Sequence, residues 1–93
     1  MASLADELQG MIGRDVVLDT RTPFVYIGKL DSVGEHFLTL VDVDVYDTSE
    51  TKTRKEVYVY ETRKYGVKRN RTRCSVRICE VVSLSRLEDV VEF

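Results

Sequence analysis

Hydrophobic and polar residues alternate most regularly in the middle of the chain, over residues 24–46 (FVYIGKLDSVGEHFLTLVDVDVY). β-branched and aromatic residues dominate this stretch, as they do in strands, and no proline follows Pro23. The stretch also contains Gly28 and Gly34, and glycine inside a strand marks a bulge, a bend or a close backbone approach. The pattern predicts one long bent strand, or two strands that meet at a tight turn near Gly34.

Beyond Gly34 the alternation separates two faces of the predicted strand. The face that stays apolar carries Phe37, Thr39, Val41, Val43 and Val45. The face that changes from apolar to acidic carries Leu38, Leu40, Asp42, Asp44 and Tyr46. A strand of this kind runs from a core out past its rim, where one face meets solvent. The two aspartates are then available to pair across strands with Arg54 and Lys55, for about 0.2–1 kcal/mol per pair.

The N-terminal residues 3–12 predict a short amphipathic helix, with Ser3 as the N-cap and Gly13 just beyond the C-terminal end. Its apolar face carries Leu4, Leu8, Met11 and Ile12. Because so short a helix is marginal alone, we expect this face to pack on the open end of the strands. A membrane-surface role is the weaker alternative, since the polar face is acidic.

The remaining segments predict strands that complete an antiparallel barrel. The first strand covers 15–20, and a turn over 20–23 leads into the central stretch. A polar hairpin tip at 47–53 precedes a returning strand at 54–60 (RKEVYVY) and a basic loop at 62–72. A fourth strand covers 73–78 and a short fifth strand 80–87.

The 93 residues suit one domain, with a helix at 3–12, a barrel over 15–87 and a tail at 88–93. The predicted fold is all-β with an N-terminal helix. It is a small five-stranded, strongly bent antiparallel barrel with a long hairpin between its third and fourth strands. Barrels of this size are mainly SH3-like or OB barrels, and a helix at the N-terminus favours the SH3-like kind.

The net charge of −2 hides a strong asymmetry along the chain. Residues 52–77 carry ten basic and two acidic side chains, a net +8, whereas the rest of the chain carries four basic and fourteen acidic ones, a net −10. The block interleaves its cations with Tyr58, Tyr60 and Tyr65, which suits phosphate contact and base stacking. Two alternatives stay open: a charged ribbon that resists unwanted pairing, and pairing with the acidic remainder of a neighbouring subunit.

Several classes of function lack their residues in this sequence. Cys74 and Cys79 would lie about 16 Å apart on opposite faces of a strand, too far for a disulfide, and His36 is the single histidine. We therefore expect no metal, no cofactor and no enzymatic activity, since no nucleophile, acid–base or phosphate-loop pattern appears. The acidic N-terminus is unlike a signal peptide, and no apolar run reaches the ~20 residues of a membrane span, so we expect a cytoplasmic protein without membrane contact.

Two short patterns resemble the Sm and Sm-like (LSm) family. The first Sm motif of that family places Gly-x-Leu after an apolar strand and then Asp-x-aromatic-Met-Asn-Leu, and this chain has YIGKL at 26–30 and EHFLTL at 35–40. The N-terminal helix followed by GRDVV resembles the family's lead-in, and VRICEVV at 76–82 corresponds to its second motif. The resemblance covers residues 4–87 and implies an Sm-like fold.

The resemblance implies a single-stranded RNA site. At the matching positions Phe37 stacks on a base, Thr39 replaces the asparagine that reads its edge, and Glu35 replaces the aspartate that holds that asparagine. Arg77 stacks over the same base, and Ile78 replaces a glycine. The residues alone favour a place in the core for Phe37 over a stacking role, because it lies on an apolar face. The candidate RNA-binding residues are Glu35, His36, Phe37, Thr39, Arg77, Lys52, Arg54, Lys55, Arg63, Lys64, Lys68, Arg69 and Arg71.

The resemblance also implies self-association. Sm-like chains join the fourth strand of one subunit to the fifth of the next, and this head-to-tail contact closes into a hexameric or heptameric ring. Two functional hypotheses follow. One is a ring that binds single-stranded RNA as a ribonucleoprotein. The other is a structural ring or adaptor that has lost the base site and binds proteins.

Overall fold

Five strands form one antiparallel sheet in the computed structural model, which describes residues 4–91. The strands are β1 (Asp15–Thr20), β2 (Phe24–Val33), β3 (Phe37–Asp47), β4 (Arg71–Arg77) and β5 (Val81–Arg86). Their order across the sheet is β4-β3-β2-β1-β5, so β4 and β5 form its two edges. The predicted five antiparallel strands are confirmed, with β4 beginning two residues earlier than predicted and β5 one residue shorter at each end.

The central stretch is two strands that meet at Gly34, as the second of the two sequence interpretations has it. The Gly34 amide donates a hydrogen bond to the Phe37 carbonyl oxygen at 2.8 Å, which closes the turn between β2 and β3. The two strands pair antiparallel from Phe24 opposite Asp47 to Val33 opposite Leu38. They take part in three of the four strand pairings of the sheet and carry most of its fully buried side chains.

A bulge in β3 exchanges the two faces of that strand. Lys29 lies opposite Val41, but Ile27 lies opposite Asp44, so β3 has one residue more than β2 in this interval. The distortion of the backbone at the bulge falls at Asp42, whose φ of 51° lies in the left-handed region. The prediction that one face of β3 stays apolar along its whole length is therefore wrong, because the alternation reverses at this point.

Gly28 packs directly on the bulge. A β-carbon at this position would lie 3.1 Å from the Val41 carbonyl oxygen and 3.1 Å from the Val43 α-carbon. Both atoms belong to the backbone and have little freedom to move aside. Of the three alternatives that the sequence left open for a glycine in a strand, Gly28 shows the close backbone approach.

The first core lies on one side of the sheet and is built from Val16, Leu18, Leu30, Leu38, Leu40, Val43 and Val76. The N-terminal segment covers it: α1 (Leu4–Glu7) is followed by a 3-10 turn (Gln9–Met11), from which Leu8 and Met11 pack against this core. The predicted helix is thus only partly confirmed. It is shorter than predicted because Ile12 is extended and exposed, and its predicted N-cap, Ser3, lies outside the described residues.

A second core lies on the opposite side of the sheet, where β1 and β2 contribute Val17, Val25 and Ile27. A second helix, α2 (Lys55–Tyr65), covers these residues with its buried Val59 and Thr62. From the C-terminal side Leu87 joins the same core, in a 3-10 turn (Leu87–Asp89) that takes the place of the predicted strand end. Residues 92 and 93 of the predicted tail lie outside the described range.

The strand predicted at 54–60 is therefore wrong, and so is the long hairpin to which it belonged. The alternation of valine and tyrosine over residues 57–60 is typical of a strand, which has a period of two residues. The buried residues of this segment, Val59 and Thr62, are instead three positions apart, as on one face of a helix. The termini carry helix signals: Glu56 lies in the first turn, Arg63 and Lys64 in the last, and Gly66 follows with φ 99°. The predicted loop at 62–72 accordingly begins as helix and ends as strand.

One buried carboxylate ties α2 to β3. Asp44 is 3% exposed and accepts hydrogen bonds from the Tyr58 hydroxyl and from the Asn70 side-chain amide, the latter at 3.3 Å. The Tyr58 ring also stacks on Tyr46, with ring centroids 3.7 Å apart and an interplanar angle of 9°. Burial raises the pKa of the Tyr58 hydroxyl, and the bond to Asp44 raises it further.

The predicted pairs of Asp42 and Asp44 with Arg54 and Lys55 are wrong. Asp42 pairs instead with Arg69 at 2.6 Å, and Lys55 pairs with Asp19 of β1 at 2.9 Å. The reason is the helix: Lys55 is its first residue and lies beside Asp19 of β1, two strands away from β3 in the sheet. Both cysteines are free, as expected, and Cys79 lies in a 3-10 turn (Ile78–Glu80) instead of a strand.

Replacing Gly28 by alanine is predicted to destabilise the fold. The added methyl group would press on backbone atoms of the bulge, and overpacking of this kind costs about 1–3 kcal/mol. Urea denaturation of Gly28→Ala against the wild type measures the loss. Gly10→Ala is the matched control, because no heavy atom lies within 4 Å of a β-carbon there. Equal midpoints for both variants would contradict the role of Gly28.

Tyr58→Phe is predicted to lower the free energy of unfolding by about 1–3 kcal/mol, because it leaves the buried Asp44 short of one donor. The stacked ring is retained, so the loss reports on the hydroxyl alone. Tyr65→Phe is the control, since its ring is 69% exposed. Chemical denaturation of each variant and of the wild type at neutral pH measures the change in the free energy of unfolding.

The same variant has a signature in alkaline solution. The pKa of Tyr58 in the folded protein lies above its ordinary value of 10.0. The stability that the Tyr58 hydroxyl contributes to the fold is therefore complete below pH 10 and is lost as the pH rises above that value. Tyr58→Phe should therefore lose less stability than the wild type above pH 10. A parallel decline of both proteins would contradict the assignment.

Candidate functional site

The predicted base site centres on a cross-strand pair. Phe37, the first residue of β3, lies opposite Arg77, the last residue of β4. The Phe37 ring is 44% exposed, and the guanidinium carbon of Arg77 lies 5.9 Å from its centroid, within range of a cation–π contact. Phe37 is therefore a surface aromatic, and the alternative that placed it in the core is wrong.

These two side chains line an open cavity of about 440 Å³. The turn before β3 contributes Glu35 and His36, and the turn after β4 contributes Ile78 and Cys79. The Ile78 amide donates a hydrogen bond to the His36 carbonyl oxygen at 2.8 Å, which holds the two turns side by side. The structure thus brings together Glu35, His36, Phe37 and Arg77, four of the five residues predicted for this site.

Thr39, the fifth residue, lies two positions farther along the same face of β3. It is paired with Ser75 of β4, and the two hydroxyl oxygens are 3.3 Å apart. A threonine offers a single hydroxyl where an asparagine offers both an amide donor and a carbonyl acceptor. One hydrogen-bonding position of the Thr39 hydroxyl is directed at Ser75, so fewer than its three positions are available to a base edge.

Ile78 occupies the position at which the family pattern has glycine. Its side chain is partly buried and packs against the first core. The isoleucine side chain thus contacts the first core and also lines the cavity, next to Arg77. The cavity floor is consequently more apolar than a glycine would make it.

The cations of the basic block do not form one surface. Three of them are paired with carboxylates from other elements, at 2.6–3.1 Å: Lys55 with Asp19, Arg69 with Asp42 and Arg73 with Asp31. Arg54 lies 3.9 Å from Glu56. Two of the predicted RNA-binding cations, Lys55 and Arg69, are thus ion-paired with acids from outside the basic block.

The other predicted cations are distributed along the connection between β3 and β4. Lys52 is exposed before α2, and Arg71 begins β4 and donates a hydrogen bond to the Asn70 carbonyl oxygen at 3.0 Å. Arg63 lines a separate open cavity of about 460 Å³ together with Arg14 and Glu88. The remaining two, Lys64 and Lys68, are exposed at the end of α2 and in the loop after it. The Phe37 cavity, at the far end of β3, includes none of these side chains.

Sequence reasoning missed Ser75 and Cys79. Ser75 follows from the register of β3 and β4 once Phe37 is placed opposite Arg77, because Thr39 then lies opposite Ser75. Cys79 reaches the cavity because the chain turns into a 3-10 helix after Arg77. The sequence predicted strand up to residue 78 and again from residue 80, so the 3-10 conformation of Ile78–Glu80 was not expected.

Among residues 4–91, no three side chains of histidine, cysteine, aspartate or glutamate lie together in an arrangement that could hold a metal ion. Neither helix over this range has the length and apolar character needed to cross a membrane.

Comparison with known proteins finds similarity in structure but not in sequence. No family model and no curated protein matches the chain. The Sm protein of Pyrococcus abyssii, solved in complex with a uridine heptamer, aligns with a TM-score of 0.61 and 15% identity, over 91% of this chain and 99% of that one. The SmAP1 heptamer of P. aerophilum aligns with a TM-score of 0.57 and 24% identity, over 92% and 95%.

The chain therefore has the Sm fold, and the fold predicted from the two short motifs is confirmed. The alignments extend over nearly the whole length of this chain and of both solved chains, so the similarity is that of an entire domain.

Proposed function

We propose that this chain is an RNA-binding Sm-like protein and that a base of single-stranded RNA stacks at Phe37 beside Arg77. The observation that carries the proposal is the exposed Phe37 ring with a guanidinium group 5.9 Å from its centroid, at the edge of an open cavity. Similar architecture in a protein solved with a uridine heptamer supports the same ligand class.

The chemistry of the cavity suits an unpaired base. Single-stranded RNA exposes base faces, which stack on aromatic rings and on guanidinium planes. Phe37 offers the ring and Arg77 offers both a plane and a positive charge for the neighbouring phosphate. No nucleophile or acid–base pair is needed for such a role, so we propose a binding module and not an enzyme.

Discrimination between bases is expected to be weak. Thr39 has one hydroxyl next to Ser75 in place of the two-sided amide of an asparagine. Stacking tolerates every base because each has a π-face, whereas edge recognition requires matched donors and acceptors. The site therefore favours binding of single strands over recognition of a particular sequence.

Ring assembly is the second part of the proposal. The edge strands β4 and β5 leave unpaired backbone groups, which a neighbouring chain can satisfy by joining its β5 to β4. Val82 on β5 is 67% exposed, which is costly for an edge strand in water and suits a strand that is covered in an assembly. The P. aerophilum SmAP1 protein was solved as a heptamer, which supports a ring of similar size here.

One observation favours the alternative of a structural ring or protein adaptor. The Thr39–Ser75 contact and the side chain of Ile78 occupy two positions that the family pattern reserves for the base site. A chain that had lost base recognition would keep the barrel and its edges but not the affinity for RNA.

Replacement of Phe37 by alanine is predicted to weaken RNA binding by about 1–3 kcal/mol per stacked base. Fluorescence anisotropy with short uridine-rich and adenosine-rich RNAs, at two salt concentrations, measures it. Phe24→Ala is the matched control, because Phe24 is a similarly exposed phenylalanine (37%) opposite Asp47, at the far end of the β2–β3 pair. Affinity should also fall with salt as phosphate contacts are screened.

The titration separates the two hypotheses. Wild-type protein that binds neither RNA at low salt would reject the RNA-binding proposal and leave the adaptor. Equal losses in Phe37→Ala and Phe24→Ala would place the effect on stability and not on the site.

Self-association is predicted to give a particle six or seven times the mass of the 10.7 kDa chain, measured by size-exclusion chromatography with light scattering. Val82→Lys should shift it toward monomer, because a lysine on the edge strand resists pairing. Val91→Lys is the control, since Val91 is equally exposed (73%) but lies outside β5. A wild-type monomer at micromolar concentration would contradict ring assembly.

A further inference from the structure

The end of α2 presents an aromatic ring to solvent. Tyr65, the last residue of the helix, is 69% exposed, and the Lys64 ammonium lies 5.2 Å from the centroid of its ring. Beside it is a shallow hollow lined by Tyr65, Gly66 and Lys68, with Glu61 contributing a carboxylate. We call Lys64, Tyr65 and Lys68 the Tyr65 surface.

This surface is held in place on both sides. Before it, Tyr58 of α2 is hydrogen-bonded to the buried Asp44 of β3. After it, the Asn70 amide donates to the Val43 carbonyl oxygen at 2.8 Å, and the Asn70 side chain accepts from the Val45 amide at 2.9 Å and donates to the Val45 carbonyl at 3.0 Å. Two anchors on one strand therefore fix a protruding turn, so Tyr65 would meet a ligand without first being ordered.

The local charge is positive after the ion pairs are taken into account. Residues 62–73 contain six cations and no acid. Asp42 and Asp31 from other elements neutralise Arg69 and Arg73, and Glu61 is the one carboxylate lining the hollow. The ion pairs of the described residues leave Lys68 without a carboxylate partner. A platform of this kind offers a ring face and ammonium groups together.

We propose that the Tyr65 surface is a second contact for single-stranded RNA, at which Tyr65 stacks on a base and Lys64 and Lys68 contact the flanking phosphates. This inference rests on the proposed function, because it takes RNA as the ligand of the chain. An acidic surface of another protein would need the cations but not an exposed ring face, so the aromatic platform favours nucleic acid.

The second contact is separate from the Phe37 cavity. The loop of the Tyr65 surface returns to β3 at Val43, six residues from Phe37, which corresponds to about 20 Å along the strand. One nucleotide cannot reach both sites. Only an RNA long enough to extend from the cavity along the subunit gains the second contact, so the dependence of affinity on RNA length distinguishes the two.

The test compares hexauridine with an oligouridine of about 16 nucleotides, using the full chain in its native assembly. Tyr65→Ala should weaken binding of the longer RNA by at least about fivefold and leave hexauridine unchanged, because stacking on one base is lost. Tyr65→Phe keeps the ring and should retain wild-type affinity. Since Tyr65 is exposed and alanine favours helix, circular dichroism should show an intact fold.

Two further measurements support the mapping. Lys68→Ala should reduce the salt dependence for the longer RNA, whereas Lys29→Ala, at an exposed lysine of β2 outside the candidate RNA-binding residues, should not. Photocrosslinking of the longer RNA carrying 4-thiouridine should label the peptide that contains Tyr65.

The outcomes separate this inference from the proposed function. Wild-type affinity of Tyr65→Ala and Lys68→Ala for the longer RNA would overturn the second contact while leaving Phe37-dependent binding of hexauridine intact. Equal losses for both RNA lengths would also overturn it, since the effect would not lie at a separate site. Absence of binding of either RNA by the wild type would reject both proposals.

Discussion

The packing of Gly28 against the bulge of β3 is the constraint on which the rest of the fold depends. With one extra residue at Asp42, β3 turns its Val43 into the first core and its Asp44 toward the second. A regular strand would have placed Val43 and Leu40 on opposite sides. The missing side chain at residue 28 lets the two strands stay paired through this change, because a β-carbon would meet the backbone of Val41 and Val43.

The second face of the sheet then needs a cover, and α2 provides it. Val59 contributes apolar surface, but the buried Asp44 must also be satisfied, and the hydroxyl of Tyr58 meets this need together with Asn70. The helix is thereby fixed at a point along β3 that the bulge determines. The distribution of charge follows from this arrangement, since Lys55 at the start of α2 pairs with Asp19, and Arg69 in the loop after α2 pairs with Asp42.

The sequence predicted most of the sheet and little of the connection between β3 and β4. Period-two alternation and glycines located β1, β2 and β3 to within a residue or two, because those strands are buried in a regular pattern. The same alternation at Val57–Tyr60 belongs to a helix, where tertiary burial of Val59 and Thr62 outweighs the preference of valine and tyrosine for strands. The bulge at Asp42 left no signal, since aspartate at a left-handed position looks like any exposed acid.

For the candidate site too, the residues predicted from a strand pattern and those predicted from composition fare differently. Phe37 and Arg77 were named from a resemblance in short motifs, and the register of β3 and β4 places them opposite each other because both motifs flank the same ladder. The cations were named from composition, and composition carries no information about which acids lie nearby in space. Asp19, Asp31 and Asp42 come from three different strands, so their pairing with the basic block is a property of the fold alone. The Tyr65 surface lies at the end of α2, and its capacity to bind depends on geometry more than on the net charge of the segment.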